Sequence, residues 1–146
     1  MIDFMNEAKK EALKALKKNE VPIGAVVVKN GKIIGRGHNC REKKQNAIKH
    51  AEIIAIEKAC KHEKSWRLDE CEIYVTLEPC PMCAGAIANA RIKKLVYGAE
   101  EKTSGDNLCR AILTSTRLNH KVEIVIDERN KEECAHLLST FFKNRR

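Results

Sequence analysis

The apolar positions alternate between two periods along the chain. Between Asp3 and Lys18, Met5, Ala8, Ala12, Leu13 and Leu16 recur at helical spacing, which predicts an amphipathic helix capped by Asp3. Pro22 punctuates the entry to Ala25-Val26-Val27-Val28, a run that reads as a buried strand. Asn30-Gly31 follows; both residues tolerate positive φ, so the pair predicts a two-residue hairpin with a return strand over 32–37. Ile53, Ile54, Ile56 and Ala59 give 50–61 a wide apolar helical face. Strands are then expected over 71–77, 94–98 and 122–126. Helices are expected over 82–90, 107–114 and 130–143.

The order is α-β-β-α-β-α-β-α-β-α. An opening hairpin followed by β-α-β crossovers predicts an α/β fold of three layers, α/β/α, with a mixed five-stranded sheet and helices on both faces. Because a helix joins the last two strands, they should run parallel; a tight hairpin would have made them antiparallel. No repeat, low-complexity stretch or Pro/Gly/Ser-rich linker divides the 146 residues, so a single domain over 1–146 is expected.

Composition refines this. Aromatic residues are only 4% of the chain, so the core must be built mainly from Ile, Val, Leu and Ala. Lys plus Arg number 28 against 20 Asp plus Glu, a formal charge of +8 that favours a polyanionic partner such as nucleic acid. The first residues are charged and lack a signal-peptide core, and no apolar run reaches the roughly 18 residues of a membrane span. With seven cysteines, this fits a reducing, cytoplasmic compartment in which the thiols are free or bind metal.

Two short motifs carry the chemistry, His50-Ala51-Glu52 and Pro79-Cys80-Pro81-Met82-Cys83, each at the expected start of a helix. Cys80 and Cys83 are three residues apart, which puts both thiols on one side of a helical turn, and helix N-termini favour thiolates. With His50 they make a Cys2His set, three ligands with an open fourth position, the pattern of a catalytic zinc ion (Zn2+). Glu52, two residues from His50, can reach a water in that position and move its protons. Alone, a CxxC is often half of a structural zinc site or a redox pair. Cys60, Cys71 and Cys134 read as core residues, whereas Cys40 and Cys109, in or near loops, could close the fourth position.

The H-x-E and P-C-x-x-C pair is the signature of zinc deaminases. The chain resembles the bacterial tRNA-specific adenosine deaminases, the TadA-type branch of the cytidine deaminase-like superfamily. The resemblance extends from Glu20-Val21-Pro22-Ile23-Gly24-Ala25-Val26 and Gly37-His38-Asn39, through both motifs, to Asn119-His120-Lys121-Val122-Glu123 and Phe141-Phe142. It implies the cytidine deaminase-like fold and conversion of adenosine to inosine at the wobble position (34) of a tRNA anticodon stem-loop. It also implies a homodimer that shares RNA contacts between subunits. Asn39 matches the position that bonds the flipped base, and Asn119 and His120 a segment near substrate phosphates. Arg145 and Arg146 are further candidates for phosphate contact, with Phe141 and Phe142 packing inward. Where the family has D-P-T-A before the motif histidine, this chain has Asn46-Ala47-Ile48-Lys49, and the run from Glu100 to Asp106 also departs from the usual pattern. The alternatives are a deaminase of free guanine or cytosine, or a zinc-stabilised RNA-binding module without catalysis.

Overall fold

The computed structural model describes residues 2–101 and 108–145. The elements are α1 (Phe4–Lys17), β1 (Gly24–Lys29), β2 (Lys32–His38), α2 (Arg41–Lys44), α3 (Ala51–Glu63), β3 (Cys71–Leu77), α4 (Pro81–Asn89), β4 (Lys94–Ala99), α5 (Leu108–Leu113), β5 (Glu123–Ile126) and α6 (Lys131–Lys143). The strand order is β2-β1-β3-β4-β5. β1 is antiparallel to both β2 and β3, while β3, β4 and β5 run parallel. The mixed sheet with a parallel final pair is therefore present as expected.

The hairpin turn forms at Asn30 (φ 50°) and Gly31 (φ 76°), the positive pair that a twisted two-residue turn requires. Strand residues alternate between the faces. Ala25, Val27, Ile73, Val75, Leu95 and Tyr97 join the core with residues of α3, α4 and α5. Val96 packs with Met5 and Ala8 of α1 and Cys134 of α6 on the other face, and Ala99, where β4 ends, joins that cluster.

α1 departs from its expected stripe. Asp3 caps it, accepting a hydrogen bond from the Asn6 N–H at 3.2 Å. Met5, Ala8 and Ala12 are buried as expected, but Ala15 and Glu11 complete the buried face, and Leu13 (43% exposed) and Leu16 (37%) lie outside it. The helix approaches β1 so closely that a Cβ on Gly24 would lie 2.1 Å from the Ala8 carbonyl oxygen. Only small side chains fit that seam, so the leucines turn outward.

The same device places the candidate chemistry. A Cβ on Gly37 of β2 would lie 2.3 Å from the Ala51 carbonyl oxygen. Backbone contact therefore sets the start of α3, beside His50, against the sheet. α2 is the one helix absent from the sequence reading; its Arg-Glu-Lys-Lys has no apolar face to reveal it. Among the described residues, no helix is long and apolar enough to cross a membrane.

Candidate functional site

The parallel β3 and β4 end side by side, with Leu77 paired to Ala99, and the chain leaves β3 through Glu78 and Pro79 to reach α4. Cys80 precedes Pro81, which disfavours helical backbone at the cysteine. Cys80 accordingly has extended φ −71°, ψ 171° as the N-cap of α4, with Pro81 at its first turn. His50 is the extended N-cap of α3, at φ −75°, ψ 157°. Both side chains project from the ends of their helices, where they can turn toward each other.

They do. His50 Nδ1 lies 3.7 Å from Cys80 Sγ and 3.6 Å from Cys83 Sγ. The three ligand atoms lie within 4.8 Å of one another. A tetrahedral zinc with ordinary bond lengths requires a sulfur-to-nitrogen edge of roughly 3.6 Å. Both sulfur-to-nitrogen separations therefore fit a zinc ion. Among the described residues, these three form the single His/Cys/Asp/Glu group of that kind. Neither Cys40 nor Cys109 joins them. The Cys40 thiol donates to the His38 carbonyl oxygen at 3.2 Å. Cys109 is buried in the core, where desolvation pushes its thiol up to about 12.

The electrostatics suit ligation. The Cys80 thiol is pushed down to about 4, first by the hydrogen bond from the Cys83 thiol and also by that from His50. The Cys83 thiol is pushed up, by its bond to Cys80 and by burial. His50 is raised, first by its bond to Cys80. Glu52, in the first turn of α3, is only 4% exposed, and burial pushes its carboxyl up to about 7. A carboxyl so placed can both take and return a proton near neutrality.

His50 and Glu52 open on a cavity of about 560 Å³ whose wall also includes Asn39, Arg41, Leu138 and Phe142. Asn39 is buried; its Oδ1 accepts the Arg41 N–H at 3.3 Å and its Nδ2 donates to the Val21 carbonyl oxygen at 3.5 Å. A second hollow of about 760 Å³ shares Val21, Asn39 and Arg41 with the first and adds the cations Lys18, Lys43 and Arg145. The metal cavity therefore adjoins a basic groove, in which four cations face Glu20 and Glu42.

The profile of the MafB19-like deaminases matches residues 2–146. The tRNA-specific adenosine deaminase of Streptococcus pyogenes is 51% identical over 146 residues, covering 98% of this chain and 90% of that protein. The chain belongs to the tRNA-specific adenosine deaminase family.

A solved tRNA:A34 deaminase, studied for A-to-I editing at the wobble position of transfer RNA, is 36% identical to this deaminase, with a TM-score of 0.84 over 92% of this chain and 98% of that one. The guanine deaminase of Bacillus subtilis is 42% identical, with a TM-score of 0.64 over 66% of this chain and 62% of that one. The cytidine deaminase-like fold expected from the sequence is thus the fold of this deaminase.

The remaining candidate residues of the deaminase divide. Arg145 lines the basic groove, donates to the Asn19 carbonyl oxygen at 2.9 Å and stacks 4.4 Å from the centre of the Phe141 ring. Arg146 lies outside the described residues, as do 102–106 of the atypical segment and Asn107 at the start of the expected fifth helix. Asn119 is exposed, and His120 bonds the Ile92 carbonyl oxygen at 2.7 Å, just before β4. They stand at the far end of the sheet, about 16 Å along β4 from the metal cavity at roughly 3.3 Å per residue. Phe141 packs inward, but Phe142 does not: it is 52% exposed and faces the cavity. Successive helical side chains point about 100° apart, so the two rings cannot share one face. Cys71 and Cys134 are core residues as expected, while Cys60 is half-buried. Arg41 and Phe142 were not singled out by the motifs. Arg41's position two residues after Asn39, and the helical angle between the two phenylalanines, were the available signals.

Proposed function

We propose that this deaminase converts adenosine to inosine at the wobble position (34) of a tRNA anticodon, with zinc held by His50, Cys80 and Cys83. One observation carries the reading: His50 and Glu52 meet Asn39 in a cavity that adjoins a cationic groove along Asn39 and Arg41. Relatives named for tRNA adenosine deamination support it.

When bound, zinc supplies Lewis acidity that brings the pKa of a water toward about 7. Glu52 takes the proton of the attacking water and passes it to ring N1 as the oxygen adds to C6. It then takes the proton of the new C6 hydroxyl and delivers it to the exocyclic amine, so that the C6–N6 bond breaks, the C6 carbonyl forms and ammonia leaves. Water and adenosine thus become inosine and ammonia. Asn39 orients the extruded base, and Phe142 offers it or its neighbour a stacking face. An anticodon loop base is already unpaired, so presenting it costs little. The groove cations follow the phosphates.

Asn119 and His120 lie too far from the cavity to meet the same base, which supports a homodimer whose second copy contributes them to the RNA. The seven free thiols suit a cytoplasmic setting. The test is to incubate zinc-loaded protein with total tRNA and map A-to-I changes by sequencing. Inosine confined to position 34 is expected; unchanged tRNA would overturn the reading.

A second reading, deamination of free guanine, is favoured by the likeness to the Bacillus subtilis guanine deaminase. Offering anticodon stem-loop RNA and free guanine side by side separates the two. Turnover of guanine with an inert stem-loop would reverse the order.

A further inference from the structure

The segment between Asn39 and His50 forms the mouth of the metal cavity, and its fold depends on a residue from outside it. α2 is only four residues long, and its N-cap, Cys40, makes no capping bond with its side chain. Its first-turn amides are instead met by Glu20, which stands before β1 and is 2% exposed. One carboxylate oxygen of Glu20 accepts the Glu42 N–H at 3.2 Å and the other accepts the Lys43 N–H at 2.7 Å. A buried carboxylate shared between two amides is a strong tether, because each bond is charge-assisted and the group has exchanged water for them.

The tether bears on Arg41. That residue begins α2, lies on the wall of both the metal cavity and the basic groove, and is close enough to His50 to bear on its charge. Its N–H also donates to Asn39 Oδ1. The loop is closed behind it by Asn46 N–H to the Arg41 carbonyl oxygen at 3.1 Å and Cys40 N–H to the Lys49 carbonyl oxygen at 3.0 Å. No apolar residue of α2 is buried to hold it down.

We propose that Glu20 is a positioning residue for RNA: by pinning the first turn of α2 it fixes Arg41 at the junction of cavity and groove, where the guanidinium meets a substrate phosphate. This rests on the RNA reading above. Glu20 itself touches no reacting atom.

The experiment is a double-mutant cycle on an anticodon stem-loop, using the zinc-loaded full chain. Glu20→Gln keeps the shape but turns one acceptor into a donor facing an N–H. KM is expected to rise on the order of tenfold, the scale of one lost charge-assisted bond, with kcat held within about twofold. Arg41→Ala should raise KM similarly, and adding Glu20→Gln to it should change nothing further. Amide exchange should quicken at Glu42 and Lys43 and not in β3. Should Glu20→Gln fail to fold, Glu20→Asp keeps the charge, cannot reach both amides, and carries the same cycle. Additive effects of the two substitutions, or a fall in kcat at unchanged KM, would overturn the proposal while leaving the RNA reading in place. A wild-type protein inert on the stem-loop would overturn both at the first measurement.

Discussion

His50 and Cys80 stand at the heads of helices of thirteen and nine residues, α3 and α4, both of which bury residues in the core. Asn39 and Arg41 flank the start of a four-residue helix with no buried residue, held by side-chain-to-backbone hydrogen bonds. The floor of the cavity is thus set by packing and its mouth by a few polar tethers. Packed elements hold reacting groups to the fraction of an ångström that chemistry demands. Tethered loops can change between relatives without disturbing that floor, and the mouth is where this chain carries its unusual Asn46-Ala47-Ile48-Lys49.

Substitutions sharpen the contrast. The largest loss should come from Cys83→Ala, which removes a ligand: bound zinc and turnover should both fall to background, read by metal analysis and inosine formation. Chelation of the wild-type protein should match it and be reversed by added zinc. Glu52→Gln comes next, with zinc retained and kcat lowered by at least the ~10²–10⁴-fold typical of a lost general acid–base. A rate above a hundredth of wild type would show that Glu52 is not the proton carrier. At the mouth, Phe142→Ala should leave kcat within a few-fold and raise KM for the stem-loop on the order of tenfold, since stacking contributes roughly 1–3 kcal/mol per base. The smallest effect should be that of Arg145→Ala: a few-fold weaker RNA binding and a slope of log affinity against log salt shallower by about 0.7, one single-strand phosphate contact. An unchanged slope would remove Arg145 from the RNA path.

This contrast also governs what could be read before the structure. The floor was legible because its residues obey local rules: three-residue thiol spacing, motifs at the expected starts of helices, and parallel strands joined by helices. β3 was placed residue for residue over 71–77. The mouth was not legible, since Glu20 and Lys43 are distant in sequence and no periodicity links a carboxylate to a backbone N–H. Leu13 and Leu16 misled for a related reason. Helical spacing reports which residues share a face, but not that α1 presses its alanines against a glycine strand too closely for leucine. Phe142 follows Phe141 in sequence, but one step along a helix turns its ring by about 100°, out of the core and toward the cavity.

The three proposed zinc ligands fall between the head of α3 and the first turn of α4, with β3 the one strand between them. A bound ion would therefore staple the middle of the polypeptide to itself and tie down neither end. That middle stretch is synthesised ahead of β4, β5 and α6, so every ligand of the ion is already in the chain before the last two strands and the closing helix exist.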